Sequence, residues 1–241
     1  MNKDTIFVTI IWILTTIVGE VLLFLFQDNM FPVQGAKEAI IIDEAFFLLS
    51  VLGLPIFTLV CSVLIYSLIK FRASKQKYEY IEPNRFHKKW AWSWLTWSLA
   101  LCLFVVVTPG LTGLRDLRAT ANHSPDILIR VTGVRWQWSY EYVNQETQET
   151  MVRLIRKDDV LVLPNDSLIR FKVTAPENDV LHSFWIPAFR QKIDAVPGLT
   201  TGMDVQTIKT GSYEDDVNYR VQCAELCGVG HAPMNTKVRV V

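Results

Sequence analysis

The 241-residue sequence has no surplus of either charge: 24 Lys and Arg stand against 24 Asp and Glu. That balance argues against a nucleic-acid binder, and an apolar fraction of 50% excludes intrinsic disorder. Cysteine and histidine are scarce, four of each, so any metal site must draw on few residues. No C-x-x-C-H occurs, which rules out that mode of haem attachment. No Asp or Glu lies between Pro83 and Arg115. Long windows of the first 112 residues carry almost no charge, whereas residues 113–241 hold 15 Lys and Arg and 16 Asp and Glu. The asymmetry divides the chain into a membrane part, 1–112, and a soluble part, 113–241.

What the first part has is long apolar runs. Three are of the length a bilayer requires, roughly 20 residues: 6–26, 45–69 and 91–111. Glu20 interrupts the first and Pro55 the second. The first run reads as an uncleaved helix. Its charged leader is only Lys3, offset by Asp4, its apolar stretch exceeds that of a signal peptide, and no small-x-small cleavage site follows. The segment Lys70–Lys89 has seven Lys and Arg against two Glu, while Gln27–Glu44 has one Lys against four acids. By the positive-inside rule the basic segment is cytoplasmic, and everything after Leu111 lies outside. Trp90, Trp92, Trp94 and Trp97 fit an interfacial belt at the start of the third span.

From Ile127 the pattern alternates with period two. Short β-branched and aromatic runs such as "ILIRVTG", "RWQWSYEY" and "SLIRFKVT" are separated by turn signals at Pro164-Asn165-Asp166 and Ala175-Pro176-Glu177-Asn178. Eight or nine short strands predict one antiparallel β-sandwich or barrel.

Near the C-terminus, "CAELCGVGHAPM" places Cys223, Glu225, Cys227, His231 and Met234 at C-x3-C-x3-H-x2-M spacing. A disulfide would leave His231 and Met234 unexplained. Zinc takes four N or S ligands and has no use for a thioether. Thiolate, imidazole and thioether together select copper. A single blue copper uses one Cys, so a second thiolate would be left over. Two thiolates can instead bridge two coppers, each then needing one imidazole. His231 supplies one. His123 reads as a linker residue; His182, in the apolar run "LHSFWIP", reads as the other ligand.

These residues, with "NDVLHSFWIPAFRQKIDAVPG" and "GVRWQWSYEY", resemble cytochrome c oxidase subunit II. The resemblance implies a membrane helical hairpin, here with one additional N-terminal transmembrane helix as in some bacteria. A cupredoxin-like Greek-key barrel holding the binuclear copper centre CuA would follow. It implies Cys223 and Cys227 as bridges, His182 and His231 as terminal ligands and Met234 as a weak axial ligand. Glu225 would ligate through its backbone carbonyl and turn its carboxylate to a Mg or Mn ion shared with subunit I. Trp136 would be the electron entry point, with Glu141 and Asp179 at the docking surface. The donor would be cytochrome c or a small copper protein. The partners would be subunit I, which carries the haems, and subunit III, in a bacterial plasma membrane with the barrel on the periplasmic face.

Two departures from the family pattern stand out. Arg135 and Gln137 flank the entry tryptophan where the family usually has Gln and an aromatic. The acid that opens a proton pathway on the second hairpin helix has no counterpart, leaving Glu82 as a guess. Rival readings are a quinol oxidase subunit with a structural barrel, a membrane-tethered copper-binding protein and a nitrous-oxide-reductase-like enzyme. The first lacks the ligands found here, the second has no use for the "RWQWSYEY" patch, and the third requires a further catalytic domain.

Overall fold

Residues 3–72, 88–121, 123–156 and 158–241 are described by the structure, a computed structural model. Residues 73–87, most of the basic segment and including Glu82, lie outside the described residues. The chain forms two compact units, one of Met1–Met30 with Ala45–Thr112, the other of Phe31–Glu44 with Gly113–Val241. The expected division at 112 left Phe31–Glu44 with the membrane part, whereas this segment packs with the second unit.

Among the described residues, three helices are long and apolar enough to cross a membrane. Helix α1 spans Lys3–Met30 and helix α2 spans Lys37–Lys70, longer at both ends than the apolar runs alone. They are joined by polar contacts: Trp12 Nε1 donates to Pro55 O at 2.8 Å, and the Thr16 and Thr58 hydroxyls meet at 2.7 Å. Such bonds are favoured where no water competes. Helix α3, Lys88–Val105, opens a candidate span that runs from Lys88 to Ala119 and contains the predicted 91–111. Thr108 leaves helical geometry (φ −132°, ψ 107°) ahead of Pro109. A residue before proline is driven out of the α region, and the proline itself has no amide to donate. A wide turn, Val106–Leu111, leads into helix α4, Thr112–Ala121.

The second unit is a sandwich of two sheets. One has the order β3 (Thr150–Leu154), β2 (Gln137–Val143), β1 (Ile127–Val134), β5 (Leu168–Thr174), β8 (Thr201–Gln206). The other has β4 (Val160–Leu163), β11 (Asn235–Val240), β10 (Arg220–Cys223), β6 (His182–Trp185), β7 (Lys192–Ala195), with short β9 (Gly211–Ser212) on β11. Both sheets are mixed: β1 runs parallel to β5, and β11 parallel to β4. The expected all-antiparallel arrangement is corrected there, because those strands are linked by crossovers rather than hairpins. Alternation is clean in β11, where Thr236, Val238 and Val240 are buried and Asn235, Lys237 and Arg239 are exposed. Ile129, Leu161, Phe171, Phe184 and Phe189 are fully enclosed between the sheets. Each such side chain contributes about 1.5–3 kcal/mol by leaving water.

Phe31–Glu44 completes this unit. Gly35 N donates to Ala188 O at 2.9 Å, Ile208 N donates to Gly35 O at 3.1 Å, and Ala36 pairs with Thr207. Arg190, in the left-handed region (φ 64°), closes a short 3₁₀ turn at Pro187–Phe189. Its guanidinium donates to both Asp43 oxygens at 2.8 and 2.9 Å and to the carbonyls of Pro32, Val33 and Pro187. Asp43 also accepts from Gln34 Nε2 at 2.8 Å. Both charged side chains are nearly enclosed, at 10% and 5% exposure.

Candidate metal centre

Strands β6 and β10 pair antiparallel, with Cys223 opposite Phe184. Side chains alternate along a strand, so His182 stands on the same face as Phe184, at the end where Cys223 leaves the sheet. Ala224 N donates to Ser183 O at 2.9 Å, Cys223 N to Met234 O at 3.1 Å and His231 N to Gly228 O at 3.1 Å. These bonds fold residues 224–234 back over the strand ends.

The fold brings six donor-bearing residues together. The Cys223 and Cys227 sulfurs are 3.8 Å apart and not bonded to each other. His182 Nδ1 lies 3.9 Å from Cys223 Sγ, and His231 Nδ1 lies 3.6 Å from Cys227 Sγ. Met234 Sδ is 3.9 Å from Cys227 Sγ, and Glu225 O is 3.3 Å from Cys223 Sγ. His182, Cys223, Cys227 and Met234 are buried, whereas the Glu225 side chain is exposed. Soft sulfur and imidazole nitrogen converging out of water is a donor set suited to copper. The thioether and carbonyl lie beyond the four ligands that a structural zinc takes.

Burial acts in opposite senses on the two kinds of candidate ligand. Burial lowers the His182 pKa, outweighing the Asp179 carboxylate that raises it, so the imidazole is neutral. Its Nε2 lies 3.5 Å from Asp179 Oδ1, too long for a strong hydrogen bond but close enough to orient the ring. Burial and then the neighbouring Cys223 push the Cys227 thiol up to about 12. A cation entering this site displaces that proton.

Trp136 closes the loop from outside. Its Nε1 donates to Cys227 O at 2.9 Å. Gly228 (φ 115°) and Gly230 lie flat against its ring; a Cβ on Gly230 would fall 2.3 Å from Trp136 Cγ. Trp138, the next inward-facing aromatic, is instead buried edge-on to His182 and Phe184.

The carboxylates expected to greet a donor do not stand free. Asp179 accepts from the Arg135 amide at 3.1 Å and pairs with its guanidinium at 3.0 Å, leaving 6% of its side chain exposed. Burial would raise the Asp179 pKa, but the Val180 and Arg135 amides and the Arg135 charge lower it overall. Glu141 is held by Arg153 and Thr150, with Arg130 at 3.9 Å. Arg130 and Arg153 stand directly opposite Glu141 on the two neighbouring strands, and Arg135 is 44 residues from Asp179, pairings that a motif does not display. Gly133 was also missed. A Cβ there would come 2.9 Å from Trp138 Cζ3 and 3.3 Å from His182 Cβ, so only hydrogen fits at Gly133 beside this candidate ligand. Its place between two β-branched residues of an alternating strand gave a weak signal.

A mixed β-sandwich carrying a sulfur and imidazole cluster at one end, joined to apolar helices, defines a membrane-linked cupredoxin-like protein. Residues 127–241 match the family described as cytochrome c oxidase subunit II, periplasmic domain. The chain is 32% identical over 238 residues to cytochrome c oxidase subunit 2 of Candida albicans, covering 89% of this chain and 82% of that one. It is 34% identical over 206 residues to haem-copper oxidase subunit 2 of Aeropyrum pernix, covering 81% and 82%. A crystal structure of the periplasmic domain of subunit II of cytochrome oxidase from Bradyrhizobium japonicum shares 35% identity, with a TM-score of 0.39 over 49% of this chain and 86% of that one. The chain belongs to the cytochrome c oxidase subunit II family, and as such is a subunit of an oxidoreductase complex.

Proposed function

We propose that this chain is the electron-accepting subunit of a dioxygen-reducing, proton-pumping oxidase. It takes electrons from cytochrome c or a small copper protein and delivers them to haem in subunit I. The observation that carries this reading is the pair of free sulfurs 3.8 Å apart, with an imidazole nitrogen beside each. His182, Cys223, Cys227, His231, Met234 and the Glu225 carbonyl would hold a binuclear copper centre. When bound, such a centre supplies one-electron storage with little change of charge on either metal.

The chain's own residues do the rest. Trp136 joins the outer surface to the Cys227 backbone through one hydrogen bond, a compact route inward. The His182 ring has Nδ1 toward Cys223 and the Asp179 carboxylate 3.5 Å behind its Nε2. Strand β10 fixes Cys223, and the Trp136 hydrogen bond holds the backbone at Cys227, so little need move when charge arrives. The exposed Glu225 carboxylate is free to meet a hard divalent cation, Mg or Mn, shared with subunit I. The three apolar helices would anchor the chain beside subunits I and III in a bacterial plasma membrane, with the barrel on its outer face.

Copper loading of the full chain in detergent, followed by electron paramagnetic resonance, tests the reading. One unpaired electron shared by two copper nuclei is expected. A single-copper hyperfine pattern, or zinc alone on metal analysis, overturns it. Cys227→Ser is expected to abolish the shared signal. Trp136→Ala is expected to slow electron entry while sparing it.

A further inference from the structure

A polar pocket of about 350 Å³ opens where the chain enters strand β1, and Lys37, His123, Ser124, Asp126 and Gln206 line it. None of them belongs to the metal centre. The walls are tied down. Asp126 N donates to Leu168 O at 2.8 Å, and Asp126 Oδ2 accepts from Leu168 N at 2.7 Å. Gln206 N donates to Glu38 Oε2 at 3.0 Å, one residue beyond Lys37. The Arg170 guanidinium donates to His123 O at 3.4 Å. His123 Nδ1 stands 3.0 Å from Ala119 O. A carbonyl only accepts, so Nδ1 carries the proton and the neutral ring keeps its lone pair at Nε2. Lys37 and Asp126 are exposed, so the pocket offers an ammonium and a carboxylate. Lys37 also opens the candidate span Lys37–Lys70. It stands about 12 Å of helix ahead of the apolar run that begins at Ala45. That is the depth of lipid headgroups rather than of acyl chains.

We propose that this pocket binds the headgroup of a phospholipid bearing a primary amine, of the ethanolamine class. The proposal rests on the reading of the apolar helices as a membrane anchor and is independent of the metal reading. Lys37 meets the phosphate, and the Ser124 hydroxyl and Gln206 amide add neutral donors. The headgroup ammonium donates to the Asp126 carboxylate and to the His123 Nε2 lone pair. Charge-assisted bonds of this kind are the strong ones. A choline headgroup has no N–H to give, and a glycerol headgroup has no cation. One lipid held in this way joins three pieces of chain that are far apart in sequence: the Phe31–Glu44 segment through Lys37, the entry to β1 through His123 and Asp126, and the end of β8 through Gln206.

The test uses the full chain, stripped of lipid in detergent and offered phosphatidylethanolamine, phosphatidylcholine and phosphatidylglycerol at equal concentration, with bound lipid counted by native mass spectrometry. One molecule of phosphatidylethanolamine is expected to bind, about tenfold more tightly than either of the others. Lys37→Gln, a change at an exposed position, is expected to weaken it about tenfold, and Lys37→Arg to retain it. Asp126→Asn is expected to lower the preference for ethanolamine over choline. Equal binding of the three lipids would overturn the proposal, as would binding unchanged in Lys37→Gln. Displacement of the lipid by an equal concentration of inorganic phosphate would overturn it in favour of a free-anion site. Phosphatidylethanolamine held by the chain but lost on assembly of the oxidase would also overturn it, because a partner subunit then fills the pocket. Alkaline extraction of membranes separates the two readings: release of the chain refutes the anchor, whereas a chain that stays in the membrane and binds no phosphatidylethanolamine refutes the lipid site alone.

Discussion

Two arginine–aspartate pairs flank strand β6, and they serve different ends of the barrel. After the strand, Arg190 and Asp43 are both enclosed, and Arg190 also serves three carbonyls, two of them in the incoming Phe31–Glu44 segment. Before the strand, only Asp179 is enclosed; Arg135 is half exposed, and the same carboxylate faces His182. The first pair joins distant pieces of chain and is costly to break. The second disposes charge around a candidate ligand and removes it from the surface. The same two residue types thus give stability in one place and chemistry in the other. What differs is how many hydrogen bonds saturate the guanidinium and whether an imidazole stands behind the acid.

The comparison is broken most severely from the Arg190 side. Arg190→Ala leaves Asp43 buried without its cation and is expected to cost about 3–5 kcal/mol, read from denaturant unfolding of the full chain. If the loss is below about 1 kcal/mol, the segment is not integral to the barrel. Next is Gly133→Ala, whose methyl group meets Trp138 and His182. Overpacking of this kind costs about 1–3 kcal/mol and should lower copper occupancy, measured by metal content. Asp179→Asn comes third, expected to cost about 1 kcal/mol yet to alter the copper resonance spectrum. An unaltered spectrum would reduce that pair to the structural role of its counterpart.

The gentlest test is alkaline pH. Burial raises the pKa of Tyr140 and of Tyr219 above the ordinary 10.0. Below pH 10 both the folded and unfolded chains keep these phenols protonated, and stability is fully retained. Above it the unfolded chain ionises first, so stability falls with rising pH. Tyr219 also packs beside Gly35, so Tyr219→Phe should soften the alkaline loss at the segment end. A slope identical to that of the unsubstituted chain would count against this assignment.

Much of this architecture is legible from the sequence, for a physical reason. Strands that bury one face must alternate, and β1, β5 and β11 do. A copper site needs soft donors, and C-x3-C-x3-H-x2-M displays five of the six donor-bearing residues within twelve positions, with His182 inferred from the shortage of imidazole. Pairings over long sequence distance were not legible. Arg190 and Asp43 are 147 residues apart, and Arg135 and Asp179 are 44 apart. Nothing local marks Asp43 as a core residue or Asp179 as a guarded one. The third candidate span, Lys88–Ala119, contains the predicted 91–111, but the break in it at Thr108, ahead of Pro109, was not read from hydropathy.

The Phe31–Glu44 segment also constrains how the molecule is made. It is synthesised before the third apolar helix and before any strand of the barrel, yet its docking site is finished only when Pro187, Ala188, Arg190 and Thr207 have emerged. For well over a hundred residues of elongation the segment must wait unpaired. The barrel is thus closed by a piece of chain made before any of its strands, so its completion reports that this early segment and the later strands have reached the same compartment.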